Sequence, residues 1–220
     1  METDMTAMNK IHLSKMTGKL EDFVAISTNT VTNDFCKKRY EEAKVKNDKA
    51  GKVVDICGVC YSQTMLATYR KNMQNALQRN SDLLSTTVIP EADLPTFLHA
   101  FLRIDAHGEL INETHLVNIV NIAKHNPHCA IALWTKRTDL VKPFFDKNEK
   151  PANLILIYSN PKVGTILSKP PKHFDRTFNN VLEDEHVEKQ NCTGQKCKNC
   201  MLCYTLNNGV TTIVEKVKKY

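Results

Sequence analysis

The stretch FLHAFLRIDAHGELINETHLVNIVNIAKHNPHCAIALWTK, from Phe97 to Lys136, decides the fold class of this chain. Two short apolar runs, at 97–105 and 129–136, flank a segment whose apolar residues recur at spacings of three and four. That spacing predicts an amphipathic helix, with Asn112 as its candidate N-cap. A strand, a helix and a second strand in this order predict a βαβ unit, which places the two strands parallel in one sheet.

The same alternation of strand and helix continues on the C-terminal side of this unit. The apolar run NLILIYSN (153–160) predicts a further strand, and TDLVKPFFDKN (138–148) predicts the helix before it. Thr138 or Asp139 is the expected cap of that helix, and Pro143 limits its length. We therefore expect an α/β fold, either an incomplete (β/α) barrel or a parallel sheet with helices, because 220 residues fall short of the full eightfold barrel, which takes about 250.

The N-terminal side of the chain gives weaker signals. Roughly the first fifty residues are polar and lack sustained periodicity, so they are predicted to be irregular apart from a short strand in FVAIST (23–28). Residues 62–84 carry apolar side chains at helical spacing, and we expect one long helix there. The CGVC pair at 57–60 then lies in the turn that leads into this helix.

The C-terminal part of the chain changes in character. From residue 183 onward it is charged and rich in cysteine, and the alternating run GVTTIVEKV (209–217) then predicts a last strand. We assign residues 1–182 to a barrel-like domain and residues 183–220 to a cysteine-rich C-terminal extension packed on the same domain. A chain of 220 residues with 41% apolar content can bury one sizeable core.

Composition bears on location and partners. The N-terminal stretch METDMTAMNKIHLSKM lacks the apolar segment of a secretory signal, and no run approaches the roughly 18 apolar residues that cross a bilayer. We expect a cytoplasmic protein without membrane contact. The formal charge of +6 comes from scattered lysines opposed by many acids, so a solvated surface is favoured and nucleic-acid binding stays open. The sequence indicates no other partner.

Polar side chains stand where the predicted strands end. Arg103 and Asp105 close the first strand of the βαβ unit, Lys136 follows the second strand, and Ser159 lies at the end of the third. In parallel α/β folds the carboxyl ends of the strands, with the loops after them, form the ligand site. These four residues are therefore candidate cofactor-binding residues.

The tail stretch NCTGQKCKNCMLCY (191–204) holds four of the eight cysteines. In a reducing compartment, closely spaced cysteines are metal ligands or redox groups more often than disulfides. The four thiols, Cys192, Cys197, Cys200 and Cys203, suit either one zinc ion or an iron–sulfur cluster. Three cysteines at successive intervals of three resemble the loop of a bacterial ferredoxin, which favours the cluster.

A second cysteine pair lies upstream in ICGVCYS (56–62). Cys57 and Cys60 have the same two-residue gap, and Cys36 is the nearest possible third ligand. A 4Fe–4S cluster held by three thiolates leaves one iron open to a substrate or cofactor, whereas four thiolates close it. Cys129 begins an apolar run, and we expect it in the core because free cysteine is among the most buried residue types.

The order of three motifs resembles the phage-encoded gene product 88 family over nearly the whole chain. The motifs are SKM (14–16), CGVCY (57–61) and the tail cysteines. That family looks distantly similar to radical S-adenosylmethionine proteins, which place a 4Fe–4S cluster at the mouth of a partial (β/α) barrel. The resemblance implies one or two clusters and binding of S-adenosylmethionine.

Radical S-adenosylmethionine proteins carry CxxxCxxC with an aromatic residue near the last cysteine. Cys57 and Cys60 match the last two cysteines and Tyr61 the aromatic residue, which makes Tyr61 a further cofactor-binding candidate. Position 53 is valine, so Cys36 or a tail cysteine must take the place of the first. The polar strand end in RIDAHGE (103–109) falls where the resemblance implies contact with the cofactor.

Three functions are compatible with these features. The first is an iron–sulfur protein that carries out redox or radical chemistry on an unknown substrate, in the host cytoplasm if a phage encodes it. The second is a non-catalytic iron–sulfur protein for electron transfer or structure. The third is a zinc-stabilised module that binds nucleic acid or an acidic protein. In each case we expect the tail loop to fold back so that both cysteine groups line one region.

Overall fold

The computed structural model describes residues 10–182, 187 and 190–217. Its strands are β1 Ser14–Lys15, β2 Val24–Ile26, β3 Phe101–Ile104, β4 Ala130–Thr135, β5 Leu154–Val163, β6 Arg176–Val181 and β7 Thr212–Lys216. Its α-helices are α1 Asp34–Ala50, α2 Tyr61–Ala67, α3 Gln74–Thr86, α4 Glu113–His125, α5 Thr138–Phe145 and α6 Cys197–Cys200.

The seven strands form one sheet whose spatial order is the order of the chain. β1 pairs antiparallel with β2, and every later neighbour is parallel, as in the pairing of Ile131 with Leu154. The α/β class with a parallel sheet and helices is therefore confirmed. Curvature of the sheet into part of a barrel does not follow from the strand pairing and stays a prediction.

Each face of the sheet has its own core, because successive side chains of a strand point to opposite faces. Leu102 and Ile104 of β3 belong to the larger core, which α3, α4 and α5 cover with apolar side chains such as Ile119. Phe101, also on β3, packs with the smaller core of the opposite face. The buried members of that smaller core are Phe23, Ala132, Trp134, Ile155, Ile157 and Tyr204.

The C-terminal tail covers this second face. Tyr204 is 3% exposed, and its ring lies 4.7 Å from that of Phe23 and 6.0 Å from that of Phe101. β7 lies within the last apolar run, where a strand was expected, and it pairs with β6, so the end of the described chain belongs to the same sheet. The division at residue 183 lies outside the described residues, and the assignment of a separate extension stays a prediction.

Two predictions for the N-terminal half are wrong. The polar segment before residue 51 contains the 17-residue helix α1, which Asn33 caps by accepting from the backbone N–H groups of Phe35 and Cys36. Only Ala43 is buried along it, so the apolar periodicity that reveals other helices is absent. The single helix expected over 62–84 is two helices, α2 and α3, separated by an irregular stretch and a short 3-10 turn.

Two further details differ on the C-terminal side. β6 was not predicted, since its sequence RTFNNV is mainly polar although most of its residues are buried. α5 begins at Thr138, so Arg137 occupies the N-cap position, where its side chain makes no capping hydrogen bond. Neither Thr138 nor Asp139 is therefore the cap. The strands expected around β3, β4 and β5 and the N-cap role of Asn112 are confirmed.

Candidate functional site

A cavity of about 340 Å³ lies at the carboxyl ends of the parallel strands, bordered by α1, the turn before α2 and the C-terminal tail. Its walls include all five residues predicted to bind a cofactor and six of the seven cysteines predicted to bind metal. These are Tyr61, Arg103, Asp105, Lys136, Ser159, Cys36, Cys57, Cys60, Cys192, Cys197 and Cys203. The structure thus brings the two cysteine groups to one cavity, while Cys200 does not line it.

The position of Cys36 depends on the start of α1. The Asn33 side-chain oxygen accepts from the N–H groups of Phe35, at 3.0 Å, and of Cys36, at 3.3 Å. The Asn33 amide nitrogen also donates to the backbone carbonyl of Glu109, at 3.0 Å. The cap therefore ties the first turn of α1 to the loop after β3, and Cys36 lies within that turn.

Cys57 and Cys60 lie in a tight turn that packs against the side of α1. Asp55 accepts from the N–H of Cys57, at 3.1 Å, and from the Arg39 guanidinium, at 2.8 Å. The Asn47 side chain accepts from the N–H of Asp55, at 2.9 Å, and donates to its carbonyl, at 3.0 Å. Two polar side chains of α1 thus hold the backbone immediately before the cysteine pair.

Gly58 makes this close approach possible. A Cβ atom at this position would lie 2.4 Å from the Asn47 amide nitrogen and 2.9 Å from the backbone carbon of Ala43. A side chain there would push the turn away from α1. The glycine of CGVC therefore has a packing role beside the two thiols.

Three thiols, Cys36, Cys57 and Cys60, line the cavity together with Lys136. Burial raises the pKa of Cys57, and Lys136 opposes that increase. Burial also raises the pKa of Cys36, with a further increase from the Glu109 carboxylate. Burial by itself would lower the pKa of Lys136, but Cys57, Glu109 and Cys60 raise it overall, so the ammonium form is favoured. A cation is thus held among groups that carry negative charge when they ionise.

The carboxylate of Glu109 fixes the strand end beside Lys136. Glu109 is 3% exposed, and its Oε2 accepts from the Lys136 backbone N–H at 2.9 Å. Its Oε1 accepts from the N–H of Leu110, at 2.9 Å, and from the Thr135 hydroxyl. The Lys136 side chain donates to the Ser159 hydroxyl at 3.2 Å. The ends of β4 and β5 are therefore linked at the cavity wall.

The loop after β3 presents a buried carboxyl group to the cavity. Asp105 has a φ of 54° and is 5% exposed; its Oδ1 accepts from the Thr28 hydroxyl at 2.9 Å. Its Oδ2 has no hydrogen-bond partner in the part of the chain that the structure describes. Burial, followed by the nearby Glu109, raises the pKa of Asp105 well above its usual range. The protonated form of the Asp105 carboxyl group is therefore favoured.

The same loop is tied to α2. The Tyr61 hydroxyl donates to the Ala106 carbonyl at 2.7 Å, and His107 Nδ1 lies 3.1 Å from the Ser62 hydroxyl. Burial, with the positive charges of Arg103 and Arg70, lowers the pKa of His107 to about 4. The imidazole is therefore neutral at physiological pH and serves as a hydrogen-bonding contact between loop and helix.

Three of the four tail cysteines, Cys192, Cys197 and Cys203, also line the cavity. Burial raises the pKa of Cys203 to about 12, and it raises the pKa of Cys192 and Cys197 as well. The Lys19 ammonium lies 3.9 Å from the Cys192 sulfur and pairs with Glu215 of β7. Cys200 faces elsewhere, and its sulfur accepts from the Gln195 amide nitrogen at 3.3 Å.

Arg103 lies on the inner wall between the two cysteine groups. Its guanidinium carbon is 4.0 Å from the centre of the Trp134 ring, which indicates a cation–π contact. Three polar atoms at this wall, Arg103 Nε, Trp134 Nε1 and the Tyr204 hydroxyl, are buried without a hydrogen-bond partner among the described residues. Sequence reasoning missed Tyr204, and the one available signal is that tyrosine directly follows a cysteine at both 61 and 204.

The thiols are distributed around the cavity rather than gathered at one point. Within residues 10–182, 187 and 190–217, no group of three or more histidine, cysteine, aspartate or glutamate side chains is arranged to hold a metal ion. Cys129 is fully buried in the larger core, as predicted, and takes no part in the cavity. No helix of the described residues combines the length and apolar character that crossing a membrane requires.

Comparison with known proteins identifies the family of the chain. The family model described as Gene product 88 matches residues 9–191, and the chain therefore belongs to this phage family. The matched part includes Cys36, Cys57 and Cys60 and ends just before Cys192. No curated protein and no solved structure matches the chain significantly.

Proposed function

We propose that this member of the gene product 88 family is an iron–sulfur protein whose Cys36, Cys57 and Cys60 hold a cluster at the carboxyl edge of the parallel sheet. One observation carries the proposal: these three thiols, from α1 and the turn before α2, line one cavity together with Lys136 and Asp105. Parallel α/β folds place their ligands at this edge.

The chemistry of the donors suits a cluster. Thiolates are soft ligands that select iron–sulfur clusters, zinc or copper(I). Thiols distributed around a cavity suit a cluster of several iron and sulfur atoms better than a single ion. Lys136 lines the same cavity as the three thiols, and its ammonium would offset the negative charge of a thiolate-bound cluster. The hydrogen bonds that the backbone N–H groups of Cys36 and Cys57 donate to the Asn33 and Asp55 side chains would hold two of the ligands in place.

A cluster in this place would supply one-electron chemistry to the cavity. With three thiolates, one iron lacks a protein ligand, and Asp105 and Ser159 stand on the same walls to contact a bound cofactor. We propose S-adenosylmethionine as that cofactor, acting on an unknown substrate, and curvature of the sheet into part of a barrel as the frame. The parallel strands β2 to β7, arranged in chain order, support such a frame.

Electron transfer without substrate chemistry is the second candidate. The observation that favours it is the position of Cys192, Cys197 and Cys203 on the same cavity walls. A thiolate from the tail could complete the first cluster, or the tail could hold a second one. Saturated irons suit electron transfer or structure and leave no position for a cofactor.

The first test is anaerobic purification followed by iron, sulfide and zinc analysis, with visible absorption and electron paramagnetic resonance spectra. We expect a brown protein with about four irons and a matching amount of sulfide per cluster. A colourless protein with about one zinc and no sulfide would contradict both candidates and favour the zinc-stabilised module. Nucleic-acid binding would then be tested through its dependence on salt.

Cysteine variants locate the cluster and separate the two candidates. Cys57→Ser should lower iron content and stability together, because metal binding and folding are coupled. Cys129→Ala, in the core away from the cavity, should keep the iron. In the wild-type protein, a change of the paramagnetic spectrum on adding S-adenosylmethionine supports an open iron; no change, with iron present, supports electron transfer.

A further inference from the structure

Three buried hydrogen-bond donors without acceptors belong to residues that line the cavity. They are Arg103 Nε, Trp134 Nε1 and the Tyr204 hydroxyl, and none has a partner within the described residues. Trp134 is 8% exposed and Tyr204 is 3% exposed, so bulk water hardly reaches them. Most buried polar groups in native proteins are paired, and an unpaired one costs about 1–3 kcal/mol.

The fold holds these donors close together. Arg103 of β3 pairs in register with Ala132 of β4, and Trp134 lies two residues further along β4 on the same face. The guanidinium lies over the indole at 4.0 Å, and the rings of Trp134 and Tyr204 are 5.9 Å apart. The donors come from two neighbouring strands and from the tail that covers them.

The chemistry of the three groups points to one kind of ligand. Guanidinium and indole N–H groups can only donate hydrogen bonds, and the phenol is a donor when its partner is an anion. Arginine is permanently charged, and its planar fork suits carboxylate and phosphate oxygens. We infer that Arg103, Trp134 and Tyr204 form a binding site for the oxyanion, carboxylate or phosphate, of a small-molecule ligand.

The cavity has room for the remainder of such a ligand. Its volume of about 340 Å³ lies at the lower end of the range of small-molecule sites, about 300–1,000 Å³. Phe178 and Trp134 add aromatic surface to its walls, and Asp105 also lines it. A small acid or a phosphorylated small molecule matches this combination of cationic side chains and aromatic walls.

The inference goes beyond the proposed iron–sulfur function, because none of the three donors is a thiol. Cys197 and Cys203 lie close enough to Arg103 for its charge to lower their pKa values against the effect of burial, and they are the competing acceptors. If the sulfur atoms of these cysteines satisfied the donors, an added oxyanion would find no free partner. Direct binding measurements therefore separate the two possibilities.

Trp134 is the only tryptophan of the chain, so its fluorescence reports on this site alone. The purified protein would be titrated with inorganic phosphate and, separately, with acetate, at constant ionic strength maintained with chloride. Isothermal calorimetry would accompany each titration, in case a cluster quenches the indole. We expect saturable binding of at least one oxyanion. The titration that gives the higher affinity identifies the ligand as a phosphate or a carboxylate.

Variants test the assigned residues. Tyr204→Phe removes only the hydroxyl and should weaken binding about tenfold, the effect of one hydrogen bond to a charged group. Arg103→Gln should weaken it about a hundredfold or more. Tyr158→Phe is the matched control, since Tyr158 lies outside the cavity against Phe174, and its affinity should be unchanged.

Several outcomes would overturn the inference. No saturable change with either oxyanion, or binding that Tyr204→Phe leaves at full strength, would refute it. If circular dichroism shows that Arg103→Gln is unfolded, the oxyanion affinity of Tyr204→Phe still tests the inference. Oxyanion binding by protein that contains no iron would refute the cluster and support this site, whereas iron-containing protein without oxyanion binding would do the reverse.

Discussion

At the scale of single residues, the loop after β3 depends on Gly108. This residue has a φ of 109°, and a Cβ there would lie 2.0 Å from the Thr28 hydroxyl and 2.8 Å from Asp105 Oδ1. Both atoms belong to the hydrogen bond that orients Asp105 toward the cavity. One glycine thus permits both the left-handed backbone and the close packing of this wall.

We expect Gly108→Ala to lower the free energy of unfolding by at least about 3 kcal/mol, because it adds a steric clash to backbone strain. Urea denaturation measures the change. Gly51→Ala is the control, since Gly51 has a φ of 61° but no atom within 4 Å of the added Cβ, and it should cost only about 1 kcal/mol. Equal losses in the two variants would contradict the role of the close contact.

His115 makes stability depend on pH. It is fully buried in α4, its Nδ1 accepts from the Ile111 N–H at 3.2 Å, and burial lowers its pKa to about 3. A pKa lowered by folding means that the neutral form is stabilised. The contribution is complete above about pH 6.5, the value of the unfolded chain, and is lost as pH falls toward about 3.

The free energy of unfolding should fall about 2 kcal/mol more between pH 7 and pH 5 in the wild type than in His115→Gln. Glutamine keeps an acceptor for the Ile111 N–H but does not titrate. Urea denaturation at both pH values measures the difference. The contributions of the other histidines to the pH dependence cancel because both proteins contain them. Parallel pH profiles would show that His115 carries no such linkage.

At the scale of elements, α1 and α4 each begin with an asparagine N-cap, but the two helices position different parts of the fold. Asn33 caps α1, whose first turn carries Cys36, and Asn112 caps α4 by accepting from the His115 N–H at 3.0 Å. α4 covers the larger core on the far side of the sheet. Variants of the two caps can therefore be compared: both should lose helix stability, but only the Asn33 variant should also change the position of a cavity thiol.

Asn33→Ala and Asn112→Ala should each cost about 1–2 kcal/mol in urea denaturation, the usual cost of losing an N-cap. If Cys36 is a ligand as proposed, only Asn33→Ala should also lower the iron bound per chain after anaerobic purification. An equal iron content in the two variants, with stability reduced in both, would count against Cys36 as a ligand.

At the scale of the whole molecule, the tail is fastened to the sheet by one buried cation. Arg176 of β6 is 1% exposed and donates to the carbonyls of Thr205 and Val210 and to the Asn208 side-chain oxygen. These acceptors all belong to the segment between the tail cysteines and β7. The segment between the tail cysteines and β7 is thus held from within the sheet.

Arg176→Met should lower the free energy of unfolding by about 3 kcal/mol or more, because it leaves buried acceptors unpaired. Limited proteolysis should then cut first in the 205–211 loop. Arg79→Met, at an exposed position on α3, should change neither stability nor the cleavage pattern. Unaltered cleavage in Arg176→Met would show that the tail is fastened by other contacts.

Local patterns account for the elements that sequence alone predicted. β3, β4 and β5 lie in short apolar runs and α4 carries apolar residues at helical spacing, so each can be recognised within a few residues. α1 was not recognised in the sequence because it buries only Ala43 and packs through polar contacts such as those of Asn47. β6 was not recognised because most of its buried residues are arginine, threonine and asparagine, which have hydrogen-bond partners distant in the chain.

The sequence by itself determined the α/β class, the parallel strands of the central unit, the strand ends with polar side chains and the clusters of thiols. Only the tertiary structure decided that Cys36, the CGVC turn and the tail meet at one cavity, that Cys200 stays outside it, and that three donors there lack acceptors. The physical reason is that period and spacing are local properties of the chain. Which distant residues share a wall depends on strand order and on how the tail packs across the sheet.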